Sequence, residues 1–308
     1  MGVGGLGAGI GRPTGCMTTE EWRRQGKVFS YRGYDVFYRD DGGGDVVLCV
    51  HGFPTASYDW SRVWPRLRQR FRLVAADMLG FGFSAKPRDH AYSIADQARL
   101  HETLLAALGI GAVHILAHDY GDTVAQELLA RHEERRAAGS GGLQIRSVCF
   151  LNGGLFPETH RARPIQRLLA GPLGPLVGRM FSERSFARSF ATVFGPASPP
   201  TPEELREFAR LVSFNDGARI THKLMGYMAE RRRNRARWVG VLTTTRVPLR
   251  LVNGPEDPVS GRHMAERYEE IVPAPDVVLL EGVGHYPQFE APERVVEAYL
   301  EFLDGLPG

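Results

Sequence analysis

The stretch Val113-His114-Ile115-Leu116-Ala117-His118-Asp119-Tyr120-Gly121-Asp122, running into Thr123–Arg135, decides the fold. Its first five residues are a short, mainly apolar run of the kind that fills a strand covered on both faces, and residues 123–135 space their apolar members at helical intervals. Between the two lies a sharp strand-to-helix turn with Asp119 at its apex. The small residues Ala117 and Gly121 stand two positions either side, where a tight turn leaves no room for bulk. Two readings of Asp119 stand at this point. It is the exposed apex of a nucleophile elbow with Asp where Ser often stands, or it is the N-cap of the following helix, a role Asp also fills.

The same alternation recurs on both sides. Apolar runs at Val46–Val50, Leu73–Ala76, Val148–Leu151, Leu249–Val252 and Val277–Leu280 alternate with amphipathic segments at Ile94–Leu108, Arg262–Ile271 and Glu293–Leu303. This predicts an α/β architecture, a mostly parallel central sheet flanked by helices. Upstream, KVFSY and YDVFYRD joined at Arg32-Gly33 predict an antiparallel hairpin. The alternation breaks between residues 155 and 245, where only helix-like pieces occur (Pro164–Leu169, Pro202–Phe214, Ile220–Arg233), separated by Gly-Pro and Pro-Pro. The chain therefore reads as a core of residues 21–154 and 246–308 carrying an inserted helical cap, or lid, at 155–245. Residues 1–20 read as a flexible Gly-rich tail. Gly2, Gly4 and Gly7 match a dinucleotide-binding spacing, but no strand precedes them and no helical pattern follows.

Composition bounds the function. The 308 residues carry 38 Lys and Arg against 35 Asp and Glu, so no overall field favours nucleic acid or an anionic membrane. The three cysteines, Cys16, Cys49 and Cys149, lack metal-ligand spacing, and the last two sit in apolar runs, which points to a reducing, cytoplasmic setting. No apolar run is long enough for a membrane span and no secretory leader is evident. No HExxH, CxxC or carboxylate cluster implies a metal, and no cofactor is expected.

Ligands of such sheets bind beyond the carboxyl ends of the strands, so the other strand ends are the places to inspect. Val50-His51-Gly52-Phe53-Pro54-Thr55 places a Gly where the backbone can turn and the amide of Phe53 can face residue 119; with the amide of Tyr120 it would form an oxyanion hole. Asn253-Gly254-Pro255-Glu256-Asp257 puts a carboxylate after a strand, either as an acid or as an ordinary turn residue, with Glu256 as the rival. Gly282-Val283-Gly284-His285 puts a histidine after the last strand, either as a base or as a hydrogen-bonded loop residue. Nucleophile, acid and histidine in this order, each after a strand, is the order of one hydrolase class.

From about Lys27 onward the chain resembles the α/β-hydrolase fold superfamily, in its branch with an Asp nucleophile that includes epoxide hydrolases and haloalkane dehalogenases. HGFPTASYDW at 51–60, DMLGFGFSAKP at 77–87, HDYGDTVAQELLAR at 118–131, LNGGLFPETHR at 151–161 and GHYPQFE at 284–290 look especially like the mesoderm-specific transcript hydrolases. The resemblance implies attack by Asp119 on a saturated carbon, giving an alkyl ester that water cleaves after His285, oriented by Asp257, removes its proton. An aspartate with the ordinary pKa of about 3.9 needs no such activation itself. The expected partners are water and a small hydrophobic epoxide, alkyl halide or ester, with epoxide hydrolysis to a diol leading. Dehalogenases of this branch carry side-chain donors where this chain has Tyr120 and Phe53, whereas an epoxide needs a proton donor such as a lid tyrosine. Tyr227 is the candidate; the alternative is a helix residue packing on the core. His51, His118 and Asn152 are further candidates around the site, the last standing where some relatives carry the acid. The basic run Arg231–Arg237 reads as a solvated helix face. A hydrolase-fold binding protein with an idle triad is the reading from a different class.

Overall fold

The computed structural model describes residues 17–306. Eight strands form one sheet in the order β1-β2-β4-β3-β5-β6-β7-β8: β1 (Lys27–Tyr31), β2 (Tyr34–Asp41), β3 (Val46–Val50), β4 (Arg72–Ala76), β5 (Ala112–His118), β6 (Gln144–Leu151), β7 (Leu249–Asn253) and β8 (Val277–Leu279). The expected hairpin is present, with Lys27 opposite Tyr38 and Tyr31 opposite Tyr34; β2 also runs antiparallel to β4, and every later pairing is parallel. This is the α/β-hydrolase fold.

Helices cover both faces because alternate residues of each strand point to opposite sides. Leu48 and Val50 of β3, Ile115 and Ala117 of β5, and Val148 and Phe150 of β6 share one buried cluster with α3 (Ile94–Ala107), α4 (Tyr120–Ala137) and α12 (Arg262–Ile271). Val47, Cys49, Leu116, Cys149 and Leu151 share the opposite cluster with α1 (Thr19–Arg24), α2 (Trp64–Leu67), α13 (Pro287–Glu290) and α14 (Pro292–Asp304). Each fully buried Leu, Val or Phe in these layers contributes about 1.5–3 kcal/mol. Cys49 and Cys149 are buried free thiols; Cys16 lies outside the described residues.

Between β6 and β7 the chain forms seven α-helices: α5 (Pro164–Ala170), α6 (Gly174–Arg179), α7 (Glu183–Phe190), α8 (Pro202–Ser213), α9 (Gly217–Leu224), α10 (Tyr227–Arg233) and α11 (Arg235–Thr244). The single helix expected over Ile220–Arg233 is two. Gly226, Met228 and Ala229 each donate three residues back, to Lys223, Met225 and Gly226, so the ladder tightens at a glycine and α10 sets off afresh. That restart aims Tyr227 and Arg231 at the core.

Of the stretch expected as a tail, residues 1–16 lie outside the described residues, and the part that is described is built into the fold. Thr18 and Glu21 form a capping box at the start of α1, and Thr19 hydrogen-bonds Glu207 on α8. The glycines at 2, 4 and 7 lie outside the described residues. Among the described residues, no helix is long and apolar enough to cross a membrane.

Candidate active site

Asp119 links β5 to α4 with φ 48° and ψ −106°, a conformation that costs an L-residue about 1–3 kcal/mol. The turn is possible because its surroundings are pared down. A Cβ on Gly121 would sit 2.7 Å from the His51 carbonyl oxygen, and one on Gly52 would sit 3.0 Å from the Asp119 Cβ. Asp119 stands at the N-cap position of α4, but its side chain makes no capping bond to that helix. Its Oδ2 instead accepts the Phe53 amide at 3.0 Å. The Tyr120 amide, at the first position of α4, has no acceptor within the helix.

His285 stands across from it, with Nε2 3.9 Å from Asp119 Oδ2, too long for a direct hydrogen bond. The other ring nitrogen, Nδ1, donates to Asp257 Oδ2 at 2.7 Å. All three side chains are almost fully buried, whereas Glu256, the rival acid, is exposed. Burial alone would lower the His285 pKa, but the charge and hydrogen bond of Asp257, helped by Asp119 and Glu290, outweigh it and raise the value to about 9. For Asp257, burial pulls upward and loses to the histidine and the surrounding donors, so its pKa falls below the ordinary value. Those donors are the Val259 amide at 2.7 Å, Ser260 Oγ at 2.8 Å and Asn152 Nδ2 at 3.1 Å.

The other sequence candidates brace this arrangement from outside the cavity. Asn152 pins the turn of Asp257, donating also to the Gly254 carbonyl at 2.9 Å and accepting the Gly254 amide at 2.6 Å. His51 accepts the Met78 amide on Nε2 at 3.0 Å, so Nδ1 is left to donate to the Gly52 carbonyl at 2.8 Å; burial lowers its pKa to about 4. His118 Nε2 donates to the His285 carbonyl at 2.7 Å, and burial, with the His285 charge, lowers its pKa to about 3. It is therefore neutral and holds the backbone at His285. Tyr227 is buried between the rings of Phe53 and Tyr120, 6.1 and 5.2 Å away between centroids. The residue does not line the cavity, and the polar group beside its hydroxyl is the Arg231 guanidinium.

That cavity, about 540 Å³, has Phe53, Pro54, Asp119, His285 and Tyr286 on the core side and Leu169, Val177, Phe181, Phe186 and Phe190 on the insertion side. Its walls are overwhelmingly apolar. On the core side Asp119 and His285 interrupt them, and on the insertion side Arg163, Gln166, Ser182, Ser185, Ser189 and Thr221 do so.

Arg231 corrects the sequence reading of the 231–237 run. It is 2% exposed, donating from Nε to Thr123 Oγ1 at 2.6 Å and from Nη2 to the Asp119 carbonyl at 3.1 Å. Its guanidinium lies 4.0 Å from Asp119 Oδ1 and 4.5 Å from the Tyr227 ring centroid. Arg232 and Arg233 are exposed, as expected. The four-residue spacing of Tyr227 and Arg231, which puts them on one helical face, was the available signal. Asp122 is a second residue the sequence did not flag. It is fully buried, and burial plus the neighbouring Asp119 hold its pKa above the ordinary value against the pull of Arg231 and the Leu151 backbone.

The sequence profile of the alpha/beta hydrolase family matches residues 47–298. Mesoderm-specific transcript protein of Mus musculus is 42% identical over 294 residues, covering 92% of this chain and 87% of that protein. A putative hydrolase, LipZ, of Mycobacterium tuberculosis (strain ATCC 25618 / H37Rv) is 40% identical over 288 residues, covering 93% and 98%. Among solved structures, the haloalkane dehalogenase DatA from Agrobacterium tumefaciens C58 superposes with a TM-score of 0.75 at 21% identity, over 91% of this chain and 96% of that one. An epoxide hydrolase, CorEH, superposes with a TM-score of 0.73 at 20% identity, over 92% and 99%. At such identities the two structures speak for the fold alone.

Proposed function

The chain belongs to the alpha/beta hydrolase family, and from that premise we propose that it is a hydrolase working through a covalent ester on Asp119, with an epoxide as the substrate. One observation carries the reading. The Asp119 carboxylate is turned off its own helix, held by the Phe53 amide, and set at the edge of an apolar cavity opposite His285.

In the first step an Asp119 oxygen displaces the epoxide oxygen from carbon, leaving an alkyl ester and an alkoxide. The alkoxide needs a proton, and Tyr227, the donor expected from sequence, does not line the cavity. His285 does, and with a pKa of about 9 it enters the reaction as an imidazolium able to give that proton. Esterification also removes the Asp119 charge that helped hold the proton. The resulting neutral imidazole then takes a proton from water, which attacks the Asp119 carbonyl carbon. The Phe53 and Tyr120 amides would hold the tetrahedral oxyanion, each donor of this kind lowering the barrier by about 2.7–4 kcal/mol. Collapse releases the diol and returns the carboxylate, with Asp257 keeping the ring oriented throughout. Helices α5–α11 serve as the cap of the cavity.

The site of Tyr227 also favours a second reading, in which the leaving group is a halide and departs without a proton. Parallel assays separate the two: diol release from styrene oxide against bromide release from 1-bromobutane. With the bromoalkane, whose halide departs without a proton, His285→Gln should accumulate a protein adduct on Asp119 by intact mass and Asp119→Asn should abolish it; with the epoxide, His285→Gln loses the proton transfers of both steps and the adduct should form only slowly. Turnover by the wild type that persists in Asp119→Asn would refute the covalent step.

A further inference from the structure

We propose that the outer face of α5, α6 and α7 docks on an anionic phospholipid bilayer and holds the mouth of the cavity against it. Apart from Val28, the large apolar side chains exposed among the described residues all fall between Ile165 and Met180. They are Ile165, Leu168, Leu173, Leu176 and Met180, exposed by 40, 44, 57, 54 and 73%. An apolar surface concentrated in so short a stretch marks a contact site rather than chance exposure.

Charge around the patch selects the occupant. Arg161, Arg167, Arg179, Arg184 and Arg188 are exposed, and Glu183 is the one carboxylate between residues 161 and 190. None of these arginines has a carboxylate partner among the described residues, whereas Arg131, Arg135, Arg136 and Arg237 on the core and α11 are all ion-paired. An apolar centre ringed by unpaired cations is what an anionic lipid interface binds: alkyl side chains enter the acyl boundary while the guanidinium groups stay among the phosphates. The near balance of charge over the whole chain hides this local excess. The patch is also continuous with the cavity, because Ile165, Leu168 and Met180 line both. A membrane-dissolved apolar substrate could thus pass from the bilayer to Asp119 without crossing water. That route rests on the hydrolase reading above; the docking itself does not.

The test is co-sedimentation of the full chain with vesicles of phosphatidylcholine and phosphatidylserine in equal parts, and with pure phosphatidylcholine. Binding should favour the anionic vesicles and be released by high salt. Arg167→Ser with Arg179→Ser should weaken it about twenty-five-fold, on about fivefold per arginine, and Leu176→Ser with Met180→Ser should weaken it as well. The exposed arginines Arg66 and Arg99, removed together, should change it by less than about twofold. Equal binding to both vesicle types, or equal losses in the patch and control variants, would overturn the proposal. So would a wild-type dimer that the patch variants dissociate while vesicles are ignored, since the occupant would then be a second copy. Thermal melts matching the wild type establish that the variants fold, and vesicle binding is read without any turnover.

Discussion

The pairing of His285 with Asp257 makes the stability of the fold depend on pH in a way that can be measured without a substrate. The folded imidazole is raised from the ordinary 6.5 to about 9. The folded state therefore binds the proton more tightly than the unfolded chain. The associated stabilisation is fully present below pH 6.5 and is lost as pH rises through about 9. At 1.36 kcal/mol per pH unit the rise is worth about 3 kcal/mol. Asp257→Asn removes its source. The new amide keeps an oxygen toward His285, Ser260 and Asn152 only by turning its NH2 onto the Val259 amide, at a cost of about 1–3 kcal/mol that does not vary with pH. The stability gap between wild type and variant should consequently narrow by about 3 kcal/mol between pH 6 and pH 10. Urea unfolding followed by tryptophan fluorescence at the two pH values measures it, and the ring chemical shift of His285 gives the midpoint directly. A gap of equal size at both pH values, or a wild-type midpoint near 6.5, would refute the reasoning.

Arg231→Met keeps the bulk but strips donors from Thr123 and from the Asp119 carbonyl; it should cost about 2–4 kcal/mol in thermal or urea unfolding and lower kcat/KM, while Arg232→Ser leaves both unchanged. Gly121→Ala drives a methyl group into the Val50 and His51 carbonyls and should yield little folded protein, read by circular dichroism of the soluble fraction. If the His285 imidazolium supplies the first proton, kcat/KM for an epoxide should fall above about pH 9, whereas bromide release from an alkyl halide should show no such limb.

The strands and the elbow were legible because their signals are local: short apolar runs, a Gly before Phe53, and small residues around Asp119. Asp257 and His285 could be chosen because both follow strands in a fixed order. Arg231 was not legible, since in a run of five arginines nothing in composition separates the one that turns inward from those that stay in water. Its burial depends on where α10 restarts after Gly226, a matter of backbone hydrogen bonding over three residues. Tyr227 shows the converse: its element was expected, yet a phenol's place in or behind a cavity wall is decided by the packing of Phe53 and Tyr120, which are distant in sequence. The basic and apolar face of α5–α7 escaped notice because net charge averages over the chain.

The backbone at residue 119 is bent into a shape suited to glycine, and there the molecule works against itself. Asp119→Gly would relieve that strain, about 1–3 kcal/mol, but leave the Phe53 amide without its acceptor at a cost of about the same size, and, if the ester forms on Asp119 as proposed, it should abolish chemistry. Selection for resistance to heat alone would then give little reason to keep that side chain, and its retention in active variants would report on the chemistry proposed for it.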